Sequence, residues 1–247
     1  MRYGVSAAAS VQVLPGERQR IRWSQAWPIL LRPTGDDRVH LVQGAGGPLG
    51  GDELSLTLDV GAGARLDLRS AAATVVQPGA DGGCARWSVT AAVAGCLHWA
   101  PEPSIVTDGA ELDSRLRIDV ARGGSAVVVE TAVLGRHGQR GGRYRGELVA
   151  TWAGRPLLTH VTQLDGADPV LSGPGGSAGA RAVGSVLVVG RAGGSGAGEL
   201  PGVRWAWSPL AGPGAVLLAV GDPGAVSAVL HEQLVGLTNA AVPAATR

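Results

Sequence analysis

The fold is decided by a stretch that reads Gly44-Ala45-Gly46-Gly47-Pro48-Leu49-Gly50-Gly51-Asp52. Its five glycines and one proline force a tight backbone path, because glycine serves where φ is positive or another backbone approaches closely. Glu53–Val60 follows and alternates polar with apolar residues like a half-buried strand, and the strand-like Val39–Val42 precedes it. We therefore predict a glycine-rich corner between two strands. A phosphate-binding loop is disfavoured, since no Gly-Lys-Ser/Thr ending and no helix follow.

Short strand-like segments separated by turn residues recur along the chain, which is typical of an all-β protein. Such segments are Arg65–Arg69, Arg86–Thr90, Leu112–Val120 and Gly146–Trp152. Two continuous apolar runs, Ser125–Glu130 and Ser185–Val189, predict strands that are buried on both faces. Strand–glycine turn–strand units recur without a fixed period. We predict a mainly β fold, an irregular β-solenoid or stacked-sheet domain.

One helix is predicted near the C-terminus, as a short addition to the β domain. Asp222 is a suitable N-cap and Pro223 suits the first helical position. Apolar residues then recur at helical spacing and form one face. They are Val226, Val229, Leu230, Leu234 and Leu237.

Two segments rich in glycine, serine and proline, Leu171–Gly179 and Ala192–Gly202, are predicted to be loops. Strand patterns resume after each of them, so they are not interpreted as domain linkers. The sequence therefore predicts a single domain over residues 1–247.

Composition restricts the function classes. The 21 basic and 20 acidic residues of the 247-residue chain give a net charge of +1, so neither a nucleic-acid partner nor an anionic membrane is indicated. All basic residues are arginine, which excludes a lysine Schiff base or P-loop lysine. No secretion signal and no apolar run of membrane-spanning length are seen, so a cytoplasmic location is expected. Cys84 and Cys96 are expected to be reduced.

No catalytic motif is complete. Gly175–Gly179 matches Gly-x-Ser-x-Gly, but it lacks the preceding strand and following helix of a nucleophile elbow. His231-Glu232 begins like a zinc-protease helix, but Val235 stands where the second histidine is required. The basic run Arg136–Arg145 is interpreted as a solvated hairpin loop or a protein-docking loop. We therefore expect a binding or scaffold protein and no enzyme.

Several segments resemble, in order, those of the urease accessory protein UreD (UreH) family. The resemblance covers about residues 35 to 235 and rests on five motifs. They are Gly46–Asp52, Ala71–Val76 (with Val75 where the family usually has lysine), Trp99–Ile105, Glu130 to Arg136, and Gly146-Glu147.

This resemblance implies a urease maturation chaperone that binds apo-urease, UreF and, through UreF, the GTPase UreG. It also implies that nickel passes through the protein in transit, with no tightly bound cofactor. The carboxylates inside the matching motifs, Asp52, Glu102, Glu130 and Glu147, are candidates for weak, transient nickel contacts. For each one alone, a turn cap or an arginine ion pair is favoured over metal contact.

Partner-binding candidates come from exposed apolar patterns. Leu230 and Leu234 lie on the predicted amphipathic helix, and Trp205 and Trp207 share one face of a strand. The alternative function is that of a hydrolase or carbohydrate-active enzyme on a β-solenoid, which requires paired carboxylates across a groove.

Overall fold

A computed structural model describes residues 4–239 as two stacked β-sheets with a helix at the C-terminal end. The strands are, in chain order, β1 (Ser6–Leu14), β2 (Arg20–Ser24), β3 (Ile29–Pro33), β4 (Arg38–Gln43), β5 (Glu53–Val60), β6 (Arg65–Ser70), β7 (Thr74–Val76), β8 (Ala85–Val93), β9 (Cys96–Ala100), β10 (Ser104–Val106), β11 (Glu111–Val120), β12 (Ser125–Leu134), β13 (Arg143–Trp152), β14 (Arg155–Asp165), β15 (Ala182–Val189), β16 (Ala197–Leu200), β17 (Val203–Pro209) and β18 (Gly214–Gly221). The helices are α1 (Pro169–Ser172) and α2 (Pro223–Asn239).

The chain winds alternately between two sheets. Sheet A has the strand order β14-β13-β11-β8-β5-β1-β2, and sheet B the order β16-β17-β18-β15-β12-β9-β6-β4-β3, with β10 and β7 added beside β12. The central strands of both sheets are parallel, as winding requires. In sheet A, neighbouring strands place Glu53 beside Arg86, Arg86 beside Asp113, and Asp113 beside Arg145. The sequence separations between these neighbours are unequal, so successive coils differ in length. The predicted irregular, mainly β solenoid-like stacking is confirmed, and the unequal coils explain the absence of a fixed period.

The glycine-rich stretch is the corner that carries the chain from sheet B to sheet A. It connects β4 to β5. The Gln77 backbone N–H donates a hydrogen bond to the Pro48 carbonyl, and the Gly50 N–H donates one to the Gln77 carbonyl. Gly47 has φ of 112°, and a Cβ there would collide with the carbonyl oxygen of Val75. The predicted corner is confirmed, with glycine required by both backbone conformation and close approach.

The main core lies between the sheets, and a second core lies between sheet B and α2. In β12, Val128 belongs to the first core, while Val127 and Val129 belong to the second. The two continuous apolar runs are therefore buried on both faces, as predicted. Burying both faces of these strands removes a large apolar surface from water.

Three loop predictions are wrong in part. Within Ala192–Gly202, residues 197–200 form the edge strand β16, because pairing with β17 overrides the low strand propensity of glycine. The first residues of Leu171–Gly179 complete α1. Arg136–Arg145 does not form a hairpin loop, because β12 and β13 lie in different sheets.

Helix α2 begins at Pro223, as predicted, and the Val226 N–H donates to the carbonyl of Asp222 at 2.9 Å. The helix packs on β15 and β18. No helix within residues 4–239 is long and apolar enough to cross a membrane. Both cysteines are free thiols.

Candidate functional site

Two small cavities lie between sheets A and B and share walls. The first has a volume of about 30 Å³ and the second about 20 Å³. Glu130 of β12 and Tyr144 of β13 line both of them. The two cavities therefore meet at a carboxyl group from one sheet and a phenol ring from the other.

Strand alternation places these side chains. On β12, Glu130 occupies the same face as Ala126 and Val128, which belong to the core between the sheets. On β13, Tyr144 and Gly146 occupy the buried positions of the alternating pattern. A Cβ at residue 146 would collide with the Tyr144 hydroxyl, so glycine makes room for the phenol ring.

Tyr144 lies on β13, and Ser114 lies on the neighbouring strand β11 of the same sheet. Both residues are buried, and both line the first cavity. Burial, together with the nearby Glu130 carboxyl, raises the pKa of Tyr144 far above its ordinary value. The phenol is therefore neutral and acts as a hydrogen-bonding group.

The Glu130 carboxyl has no charged partner among residues 4–239. No side-chain hydrogen bond or ion pair to its carboxyl is formed by residues 4–239, and burial raises its pKa from 4.5 to about 7. Protein surrounds Glu130, and its remaining accessible surface faces the cavities that it lines. A carboxyl group in this state exchanges its proton near neutral pH and can exchange it for a cation.

Two further polar atoms of the first cavity lack hydrogen-bond partners among the described residues. Gln43 Oε1 and Trp99 Nε1 are buried without a hydrogen bond from the described part of the chain. Buried polar atoms are usually satisfied, so two orphans on one cavity wall indicate a polar occupant. One is an acceptor and the other a donor, which suits water or a hydrated species.

Each cavity approaches the surface at residues with polar or exposed side chains. Glu102 is exposed and lines the first cavity. His160, Thr162 and the exposed Leu218 line the second. Glu130 therefore lies between a carboxylate at one opening and an imidazole at the other.

An outer groove of about 550 Å³ adjoins this system. It shares Leu112 and Tyr144 with the first cavity, and its other residues from β11 and β13 occupy the outward positions of these strands. The carboxylates in its lining outnumber the guanidinium groups. The carboxylates are Glu111, Asp113, Asp165 and Asp168, and the guanidinium groups are Arg143 and Arg145.

The four carboxylates proposed from sequence are separated by the fold. Glu102 and Glu130 line the same cavity, whereas Asp52 and Glu147 line neither. Asp52 is buried and accepts backbone N–H bonds from Val5 at 2.8 Å and Leu49 at 2.9 Å, which favours the turn-cap interpretation.

Glu147 lies on the outer face of sheet A. Its strand neighbours Gly146 and Leu148 point inward, and its carboxylate accepts a hydrogen bond from Arg145 at 2.7 Å. This geometry favours the ion-pair interpretation over contact with a passing ion.

The proposed docking residues pack inside the protein. Leu230 is 3% exposed and belongs to the core beneath α2, so it is not available on the surface, contrary to expectation. Trp207 is buried in the same core and donates its Nε1–H to Gln233 on α2. Trp205 and Leu234 are half-buried and pack against the same core. The apolar helix face was correctly predicted, but this chain's own sheet covers it.

Sequence patterns did not identify four of the cavity residues, namely Tyr144, Ser114, Gln43 and Trp99. A usable signal exists for Ser114, which interrupts the inward apolar series of Leu112, Leu116 and Ile118 on β11. Glu130 interrupts the series on β12 in the same way. A polar residue at an inward strand position is thus the best sequence marker of this site.

Among the described residues, Glu130 is a single carboxyl group with few other ligand atoms around it. No cluster of three or more His, Cys, Asp or Glu side chains able to hold a metal occurs within residues 4–239. One carboxylate with few other ligands gives weak, exchangeable coordination of a divalent cation.

Comparison with known proteins gives a consistent result. The model of the family described as UreD urease accessory protein matches residues 6–235. The chain is 39% identical to "Urease accessory protein UreD" of Parafrankia sp. (strain EAN1pec), over 87% of this chain and 82% of that protein. It is 41% identical to the protein of that name from Frankia alni, over 74% and 68% of the two chains. It is also 38% identical to the protein of that name from Streptomyces coelicolor, over 78% of this chain and 80% of that protein.

Proposed function

Because the chain belongs to the UreD urease accessory protein family, whose role is urease maturation, we propose that it conducts nickel to apo-urease through the cavities at Glu130. It does so while docked to apo-urease and to UreF, which connects it to UreG. It performs no bond chemistry.

The observation that carries this proposal is the unpaired Glu130 carboxyl in the wall of both cavities. A carboxylate is a hard ligand that accepts a divalent cation. Because the Glu130 carboxylate is not part of a site with several ligands, it would not retain the cation tightly. Conduction needs sites that bind well enough for entry and weakly enough for release. Glu102 and His160, which line opposite cavities, supply further single ligands.

The hydrolase alternative fits the cavities poorly. Glu102 and Glu130 are two carboxylates on one cavity, which glycoside hydrolysis would require. However, a volume of about 30 Å³ admits roughly two water molecules, since one needs about 10–15 Å³. A sugar ring does not fit, whereas an ion with few waters does.

The proposal is tested by comparing Glu130→Gln with Glu147→Gln in a bacterium that makes urease and its accessory proteins. Both variants replace a carboxylate by an amide, but only Glu130 lines the cavities. Glu130→Gln should lower the nickel content of purified urease several-fold, while the accessory complex still co-purifies with apo-urease. Glu147→Gln should leave both measurements unchanged. Equal nickel contents in the two strains would refute conduction past Glu130.

Docking is tested separately by deletion of the gene. The urease subunits should then accumulate as apo-enzyme, and reintroducing the wild-type chain should restore both nickel and a complex containing UreF. Normal nickel loading in the deletion strain would contradict the maturation role.

A further inference from the structure

Strand β14 is an unprotected edge of sheet A. It is 11 residues long, and among the described strands it pairs only with β13. Its stretch from Leu157 to Leu164 contains no carboxylate, arginine, proline or glycine, and Val161 in the middle of this stretch is exposed. The backbone N–H and C=O groups on the outer side of β14 can therefore pair with another extended chain.

The strands at the other three ends of the two sheet orders carry protective features. β2 has arginines at two alternate positions, Arg20 and Arg22. β3 ends in Pro33, which has no N–H to donate, and β16 is only four residues long. Charges, prolines and short lengths are the means by which proteins prevent unwanted strand pairing. Strand β14 uses none of them between Leu157 and Leu164.

Sheet B extends beyond β14, and its inner face is uncovered there. The second cavity joins His160 of β14 to Ser185 and Leu218, so β14 lies over β15 and β18. The next strand of sheet B is β17. Because Trp207 of β17 faces α2, the neighbouring Ala206 faces inward, and it is exposed beside the exposed Leu218. The free edge of β14 and the floor formed by Ala206 and Leu218 are called the step.

One further extended strand fills the step. Paired with β14 through main-chain hydrogen bonds, it would continue sheet A above β17, at the usual sheet separation of about 10 Å. Every second side chain of this strand would then face Ala206 and Leu218, so small or apolar residues fit at those positions. Because the edge from Leu157 to Leu164 and this floor carry no carboxylate or arginine, the complementary strand is uncharged.

A second copy of this chain does not fit the step. Two β14 strands paired about a twofold axis would place β17 of each copy beneath sheet A of the other copy. That space is already occupied by β15 and β18 of the other copy. The strand that fills the step therefore comes from a different protein, in which no second sheet lies beneath it.

The step also contains the mouth of the second cavity, since His160 and Leu218 belong to both. At the mouth of the first cavity, the exposed Glu102 attracts hydrated cations, so that mouth suits entry. Among the described residues, the second cavity has no carboxylate in its lining except the interior Glu130, so its mouth suits release. A strand that fills the step covers this exit.

We propose that the step is the docking site for an uncharged extended segment of apo-urease, which pairs with β14 and covers the exit of the second cavity. The choice of apo-urease rests on the proposed nickel conduction, because apo-urease is the protein that receives the ion. The pairing itself depends only on the free edge of β14 and the uncovered floor beside it.

The docking is tested by amide hydrogen exchange of the full-length chain alone, with apo-urease, and with UreF, resolved to single residues by mass spectrometry. In the free chain, the amides between Leu157 and Leu164 that point away from β13 should exchange quickly. Apo-urease should slow the exchange of these alternate amides by about tenfold or more, because they become hydrogen bonded. UreF should leave them unchanged. Unchanged exchange with apo-urease, or protection by UreF alone, would overturn the proposal.

Ala206→Arg tests the floor without altering either cavity, because Ala206 lines neither of them. A charge buried beneath the docked strand should weaken apo-urease binding by about tenfold and abolish the protection of β14. Val170→Arg is the matched control, since it places the same charge at an exposed apolar residue of α1 and should change neither measurement. Both variants should keep the urea denaturation midpoint of the wild type.

Protection of β14 that persists in Ala206→Arg would show that the step is not the docking site. The outcome is independent of nickel transfer. If apo-urease protects β14 as expected while urease from the Glu130→Gln strain is fully loaded with nickel, the docking site is correct and conduction past Glu130 is wrong.

Discussion

Asp67 and Glu130 lie in the same sheet, and their surroundings give them opposite electrostatic character. Asp67 is on the outer face of β6 and Glu130 on the inner face of β12. Asp67 is bonded by Arg38 Nε at 2.8 Å, His98 Nδ1 at 2.9 Å and Arg69 Nε at 3.1 Å. Glu130 receives no such bond from the described residues.

The pKa values follow from these partners. Burial by itself would raise the pKa of Asp67, but the hydrogen bonds from His98, Arg38 and Arg69 outweigh it and hold the pKa well below its usual range. For Glu130 burial acts without opposition and raises the pKa to about 7. The comparison shows that neighbours, rather than depth, decide whether a buried carboxyl is a fixed anchor or an exchangeable ligand.

The largest effect is expected at the fixed anchor. Asp67→Ala leaves Arg38, Arg69 and His98 around a missing acceptor, so the free energy of unfolding at pH 7 should fall by about 3 kcal/mol. Because the folded-state pKa is lowered, this contribution is present above the ordinary value of 3.8 and disappears as the pH falls below it. Urea denaturation at pH 7 measures the loss. Asp59→Ala, at an exposed carboxylate bonded to Gln12, is the control and should lose much less.

A comparable effect of opposite sign is expected at Glu130. The folded-state pKa is raised, so the folded protein keeps a proton that the unfolded chain releases, and stability falls as the pH rises from 4.5 to about 7. Glu130→Gln removes this loss. Its free energy of unfolding relative to wild type should therefore increase by about 2 to 3 kcal/mol between pH 4.5 and pH 8.

The matched control for this measurement is Glu102→Gln, at the exposed opening of the first cavity. Its side chain is exposed to solvent, so the substitution should change the free energy of unfolding less. If the free energies of unfolding of Glu130→Gln and the wild type change in parallel between pH 4.5 and pH 8, Glu130 is paired in solution.

A smaller effect is expected at Asp52, a third buried carboxylate whose partners are backbone N–H groups. Asparagine keeps one acceptor oxygen for the donors from Val5 and Leu49, so Asp52→Asn should cost about 1 kcal/mol in unfolding free energy. If Asp52 only caps the turn, urease from a strain that carries Asp52→Asn should have a normal nickel content. The hypothesis of Asp52 as a nickel contact predicts reduced content with an assembled complex, so the two interpretations are distinguished by metal analysis of urease.

The smallest effect is expected at Glu147, on the outer face of sheet A. Its carboxylate is partly solvated beside Arg145, and exposed ion pairs contribute little to stability. Glu147→Gln should not measurably move the urea denaturation midpoint. A loss as large as that of Asp67→Ala would contradict the distinction between buried and surface pairs.

The sequence predicted the strands and the helix well, and the site only in part. Glu53–Val60 matches β5, and Pro223 begins α2, because alternation and capping are local properties. The motif matches gave four candidate carboxylates without ranking them, although Glu130 is the one that interrupts an inward apolar series on its strand. Leu230 was correctly placed on an apolar helix face, but the sequence did not show that sheet B covers that face.

What the sequence determined by itself was therefore the β-rich fold, the glycine corner at Gly44–Asp52, the terminal helix and the family. These follow from residue periodicity, glycine conformation and the order of motifs along the chain. Only the tertiary structure brings Tyr144 and Ser114 to the same cavity as Glu130, and Asp67 into contact with Arg38 and His98. Those contacts join strands from different coils and sheets, so they depend on coil length and sheet stacking, and both are set by long-range packing that no local pattern records.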